Sequence, residues 1–143
     1  PMNGLQRHVR RAILPVLKAD SALTALVPVA SINPIGAPVW PFIILRSPVT
    51  QRLKAACVNG GQGSWDIHAF AGPRKSGAAV VETAEDHAGR IGAAIEAALS
   101  DRWLDLPDGA KVRVRLSDIR LLQDGDENAY HWFAQVNWRA LAS

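Results

Sequence analysis

The stretch Ser64 to Leu99, SWDIHAFAGPRKSGAAVVETAEDHAGRIGAAIEAAL, decides the fold. Its first eight residues alternate. Trp65, Ile67 and Ala69 point one way, and Asp66, His68 and Phe70 point the other. That period of two predicts a strand with two unequal faces. Gly72, Pro73, Arg74 and Lys75 then read as a turn. From Ser76 to Leu99 the period changes. Val80, Ala84, Ala88, Ile91, Ile95 and Ala98, with Val81 and Leu99 alongside, form one apolar stripe, and Glu82, Glu85, Asp86, Arg90 and Glu96 occupy the rest. The spacing predicts a long amphipathic helix. Its stripe is rich in small residues, which suits close contact with a sheet.

Before this stretch, Leu5, Val9, Ala12, Ile13, Val16 and Leu17 recur at helical spacing and predict a helix from about Gly4 to Ala19. Pro15 lies inside it, removes one amide donor and crowds the preceding turn, so a kink or break is expected there. Asp20 or Ser21 can cap a short turn holding Leu23, Leu26 and Val27. Pro28, Pro34, Pro38 and Pro41 make the next segment extended and irregular. Phe42 to Arg46 reads as a buried strand ended by Pro48. Val49 to Gly63, with Gly60, Gly61 and Gly63, reads as a loop or the tip of a long hairpin.

After the long helix, Trp103 to Gly109 reads as a tucked connection ending in a turn. Lys111 to Leu122 predicts a strand with Val112, Val114 and Leu116 on one face. Parity then shifts to Ile119 and Leu121, which predicts a bulge near Ser117 and Asp118. Gln123 to Asn128 is a polar turn, and Ala129 to Arg139 the last strand. Tyr130, Trp132, Ala134, Val136 and Trp138 line one of its faces, and His131, Phe133, Gln135, Asn137 and Arg139 the other. The expected fold is α+β. A mainly antiparallel sheet of about four strands carries the N-terminal helix and the long helix, in one domain over residues 1–143.

The chain has 143 residues, 16 Lys+Arg against 13 Asp+Glu and 48% hydrophobic residues. This is the composition of a folded domain with room for a core. Cys57 is the single cysteine, which excludes an internal disulfide and a cysteine-based zinc cluster. No apolar run approaches the roughly 20 residues of a membrane-spanning helix. Arg7, His8, Arg10 and Arg11 interrupt what would be a signal-peptide core, so an origin in the cytosol, or in something assembled there, is expected. A net charge of +3 does not by itself identify a nucleic-acid binder.

Motifs that carry chemistry are weak. Asp124, Asp126 and Asn128 start a calcium-loop pattern, but its sixth and twelfth positions hold Ala129 and Gln135, and a strand follows. A solvated hairpin turn is the better reading. His8, His68, His87 and His131 lack the spacing of a zinc site. His68 and His131 can meet across paired strands near Asp66, where ordinary hydrogen-bonded or exposed histidines are expected. Neither Cys57 nor the glycine cluster sits in a nucleophile or phosphate-loop motif. No catalytic residue, metal ligand or cofactor is expected. Basic residues fall in three places: Arg7, Arg10 and Arg11; Arg52 and Lys54; Arg74 and Lys75. The first group allows a small nucleic-acid-binding module built on the N-terminal helix, although such a run is more often a solvated face. The five tryptophans read mostly as core, while Phe70 and Phe133 leave apolar surface on the sheet's other side.

Taken in order, these features resemble the tail terminator, or tail-completion, proteins of long-tailed phages and of phage-derived gene transfer agents. The likeness rests on LKADSALTALV (Leu17 to Val27), PFIILR (Pro41 to Arg46), WDIHAFA (Trp65 to Ala71), IEAAL (Ile95 to Leu99), VRVRLSDIRLLQD (Val112 to Asp124) and YHWFAQVNWRA (Tyr130 to Ala140). The segment Gln51 to Gly63, with its glycines, departs from the pattern. The resemblance implies a structural protein without catalytic residues. It implies a hexameric ring at the head-proximal end of the tail tube, which stops tube growth and joins the head. Its partners would be further copies of itself, the major tail tube protein and a head–tail connector or stopper. DNA would pass through the ring without sequence-specific binding, and no membrane is involved. The place of action would be the tail of a virion or gene transfer agent particle made in the bacterial cytoplasm. Arg52, Lys54, Arg74 and Lys75 are the expected interface residues.

Overall fold

The computed structural model describes residues 4–55, 58–123, 125 and 128–142. Helix α1 (Leu5–Ala19) buries Val9, Ile13 and Leu17, one residue per turn. It runs without a break through Pro15. Pro15 and Arg11, whose carbonyl loses its helical donor, both lie on the exposed face, where water can satisfy that carbonyl. Asp20 caps the short α2 (Ser21–Thr24), its carboxylate accepting from the Leu23 amide at 2.8 Å. The proline-bearing segment that follows starts with a 3₁₀ turn at Val29–Ser31.

The sheet has five antiparallel strands in the order β1-β2-β7-β6-β5. They are β1 (Phe42–Ala55), β2 (Val58–Ala71), β5 (Arg102–Asp105), β6 (Lys111–Gln123) and β7 (Tyr130–Ala142). A separate hairpin pairs β3 (Arg74–Ser76) with β4 (Ala79–Glu82). Helix α3 (Ala84–Leu99) lies on the same face of the large sheet as α1, and its buried Ile91 and Ile95 meet the inward rows of β2, β6 and β7.

Three further expectations are corrected, and one open choice is decided. The strand at Phe42 does not end at Pro48: β1 continues to Ala55 across a bulge between Arg46 and Val49, with Ser47 at φ 52. Proline is tolerated because β1 is an edge strand and the bulge needs no donor there. The glycine-rich segment is no loop. Gln51 pairs with Gln62 and Arg52 with Gly61, and Gly60 and Gly61 pair onward with Leu141 and Ala140 of β7. Of the two readings, the long hairpin is the one found; residues 56–57 lie outside the described residues. The long helix starts at Ala84 rather than Ser76. Gly77, at φ 63, turns the chain into the β3–β4 hairpin, and the Thr83 hydroxyl accepts from the Asp86 amide at 3.2 Å to cap α3. A fifth strand, β5, comes from the connection after α3. The bulge in β6 falls where parity shifts, between Ser117 and Arg120, with Asp118 at φ 53.

One contact sets how closely α3 approaches the sheet. A Cβ built on Gly92 would collide with the indole of Trp132. The ring therefore lies against bare helix backbone. At the end of β2, His87 donates from Nδ1 to the Gly72 carbonyl at 2.8 Å and ties the first turn of α3 to the strand.

Two substitutions test this layer. Ile91 is fully buried, so Ile91→Asp places an unpaired charge in the core. It should cost on the order of 4 kcal/mol and lower Tm by roughly 10 °C. A melt like the parent's would contradict the packing. At an exposed helical site Gly→Ala gains about 1 kcal/mol. At Gly92 the methyl overpacks Trp132, so Gly92→Ala should instead lose about 1–2 kcal/mol in denaturant unfolding.

Candidate assembly interface

Both long helices cover one face of the sheet; the other carries no helix, and the segment before β1 shields part of it, leaving Phe42 buried and Phe70, His131 and Phe133 half-buried. The strand register lays its side chains out in rows. Phe42, Phe70, His131 and Leu122 stand side by side across β1, β2, β7 and β6. Ile44, His68, Phe133 and Arg120 form the next row, then Arg46, Asp66, Gln135 and Ser117. Further along come Ser64, Asn137 and Arg115, then Gln51, Gln62, Arg139, Arg113 and Trp103, and last Gly60, Leu141, Lys111 and Asp105. One half of the face is thus aromatic and the other is polar and basic.

In the aromatic half, Phe42 stacks on Phe70 at 4.8 Å between centroids, and Phe70 on His131 at 4.6 Å. Trp40 stands edge-on to Phe42 at 5.3 Å and to Phe70 at 5.9 Å. Such offset and edge-on pairs are favoured by the ring quadrupoles. The segment before β1 passes along this cluster, where Pro34, Gly36 and Pro38 form the far wall of a groove floored by Trp40, Phe42, Phe70 and His131. The same segment exposes Ile35 completely, and Val39 and Trp40 at 71% and 47%.

His68 and His131 do meet. His68 Nδ1 and His131 Nε2 are 2.7 Å apart, so one nitrogen donates and the other accepts. Burial, then the neighbouring His131 and Arg46, lower the His68 pKa below the usual histidine value, and Asp66 opposes them. Among the described residues no cluster of three or more His, Cys, Asp or Glu is placed to hold a metal.

The remaining sequence candidates scatter. Arg52 is exposed on β1, on the edge of the sheet. The Lys54 side chain, Cys57, Asp124 and Asp126 lie outside the described residues. Arg74 is held by Glu82 at 2.7 Å, and Arg90 approaches the same carboxylate at 2.8 Å. Arg90 and then Arg74, against the opposing effect of burial, bring the Glu82 carboxyl down to about 2. Lys75 is exposed on the β3–β4 hairpin. Arg7 and Arg11 are exposed on α1 and Arg10 is half-buried. That basic helix belongs to the layer opposite the helix-free face. Reading the residues in sequence missed the grouping of Arg113, Arg115 and Arg139. Its signal was present as arginines alternating with Val112 and Val114 in VRVRL and as Arg139 on the polar side of the last strand. Their meeting depends on the β6–β7 register.

The histidine pair carries a pH dependence. Unfolded His68 takes up a proton near 6.5, and the folded residue does so only at lower pH. The unfolded state therefore binds more protons below about pH 6.5, and stability falls as pH drops through that window. Thermal melts between about pH 7.5 and about pH 5 should show a larger loss of Tm for the parent than for His68→Gln. Equal losses would contradict the assignment.

A family model described as Tail completion protein gp17 matches residues 11–141. Among solved structures, a chain from the "Virion of native gene transfer agent (GTA) particle" superposes with a TM-score of 0.76 at 14% identity, covering 99% of this chain and 100% of that one. No curated protein sequence matches. At that identity the superposition shows a shared fold, and the family match runs from α1 through β7. The chain belongs to the tail completion protein gp17 family, and is a structural component of a phage-type tail.

Proposed function

We propose that this chain closes the head-proximal end of a tail tube as a ring of identical subunits, six in number, ending tube polymerisation and offering the head connector or stopper a surface to join. The ring meets the major tail tube protein on one side, DNA passes through it, and the subunit performs no catalysis. The setting is a phage tail or the tail of a gene transfer agent. Residues 1–143 act as one assembly domain.

The observation that carries this reading, beside family membership, is the half-exposed aromatic cluster on the helix-free face with the exposed Ile35, Val39 and Trp40 beside it. A closed ring needs heterologous contacts, in which two unlike patches of each subunit meet. Contiguous exposed apolar surface rimmed by polar groups marks an interaction site, and tryptophan and phenylalanine are enriched at the centres of such sites. The exposed Arg52 and Lys75 lie away from this cluster and are assigned to the rim or to a second patch, with Lys54. Arg74, committed to Glu82, shapes the hairpin that carries Lys75.

Ile35→Asp combined with Val39→Asp tests the patch. Both side chains are exposed in the monomer, so Tm should move by no more than about 1 °C. Rings should fail to form by native mass spectrometry and electron microscopy, and tails made with the variant should be of uncontrolled length or detached from heads. Normal rings and tails from the variant would remove this surface from the proposal. Head-attached tails of normal length made without the protein would remove the terminator function itself.

A further inference from the structure

Three arginines gather on the polar half of the helix-free face. Register places Arg113 of β6 directly opposite Arg139 of β7, with Arg115 two residues along β6 opposite Asn137. Like charges directly opposite each other across a sheet are destabilising. Among the described residues one acid answers them: the Asp101 carboxylate takes Arg113 at 2.6 Å and Arg115 at 3.2 Å. Those two arginines, Arg113 first, hold the Asp101 carboxyl below its usual value, so it stays ionised and already committed. Arg139 is exposed and makes no ion pair with any described residue.

The three guanidinium groups line one open groove with Gln51, Gln62, Ser64 and Asn137. Every polar side chain in that lining is neutral or cationic, and none is a carboxylate. Carboxamide, hydroxyl and guanidinium groups are the set that contacts phosphate oxygens. Arg113 and Arg115 sit about 7 Å apart along the strand, the order of the spacing between successive phosphates on one nucleic-acid strand. At the end of the row Trp103 is 55% exposed, and the Arg113 guanidinium lies 5.7 Å from its ring centroid. An aromatic ring beside a basic groove is the arrangement that also stacks a base.

We infer that the Arg113–Arg115–Arg139 groove on the helix-free sheet face binds the phosphate backbone of nucleic acid. The contact is independent of sequence and relieves the cross-strand repulsion between Arg113 and Arg139. It does not rest on ring closure, since the groove is complete within one subunit. It is also distinct from the basic face of α1.

The test uses the full chain and a short labelled DNA duplex of arbitrary sequence, with binding followed by fluorescence anisotropy over a range of salt. Arg115→Gln combined with Arg139→Gln should weaken binding about tenfold and make the slope of log affinity against log salt shallower by about 2. Arg7→Gln combined with Arg11→Gln on α1 should leave both unchanged. Melting of the groove variant should match or exceed the parent's, which separates loss of binding from loss of fold. Equal affinity and slope for parent and groove variant would overturn the inference. So would a groove variant that binds DNA normally but no longer assembles, because the groove would then hold a neighbour's carboxylates. Failure of the ring itself, with the DNA effect intact, would leave this inference standing.

Discussion

Helix α3 reaches the sheet through Gly92, and the Trp132 indole occupies the space that a side chain would fill. This contact fixes the thickness of the two-layer core. With the helix that close, Ile91 and Ile95 come against the inward rows of the sheet, and both are fully buried. Alanines at 88 and 98 keep the rest of the interface equally near. Helix α1 fills the remaining width through Val9, Ile13 and Leu17. Both helices are thereby spent on one face, and among the described residues only the segment before β1 shields part of the other.

An antiparallel sheet with one solvated face normally carries polar residues there. Here half of that face is an aromatic cluster from Trp40 to His131, and the other half concentrates Arg113, Arg115 and Arg139. In the proposed reading the two halves meet different partners, one apolar and proteinaceous, the other polyanionic. One sheet holds both, with bulges at Arg46/Val49 in the edge strand β1 and at Ser117/Arg120 in β6, beyond the residues that the short β5 pairs with. Such bulges discourage unplanned edge-to-edge pairing.

Much of this was legible in the residues. Alternation in SWDIHAFA put Trp65, Ile67 and Ala69 inside, and all three are buried. The parity shift after Leu116 located the bulge in β6, because a strand cannot change its buried face without an extra residue. The order of these features along the chain was enough to suggest the family. Less legible was the start of α3. The apolar stripe extends back through Val80 and Val81 at helical spacing, yet both are exposed in a hairpin. Thr83 and Asp86 held the cap signal, and capping outweighed periodicity.

The sequence by itself determined the elements whose residues interact locally: helix stripes, strand faces, caps and bulges, each written within a dozen neighbouring positions. Tertiary structure alone decided what depends on pairing across long separations. The glycines at 60, 61 and 63 suggest a flexible loop when read locally. Sandwiched between β1 and β7 they become strand, because two ladders supply the backbone hydrogen bonds that a single segment lacks. A Cβ at Gly63 would strike the Val49 carbonyl and the Trp138 ring, so close approach is what those glycines permit. The same holds for the surface. His68 lies 63 positions from His131, and Arg113 lies 26 from Arg139. Only strand register, set by the buried face on the other side, brings them together.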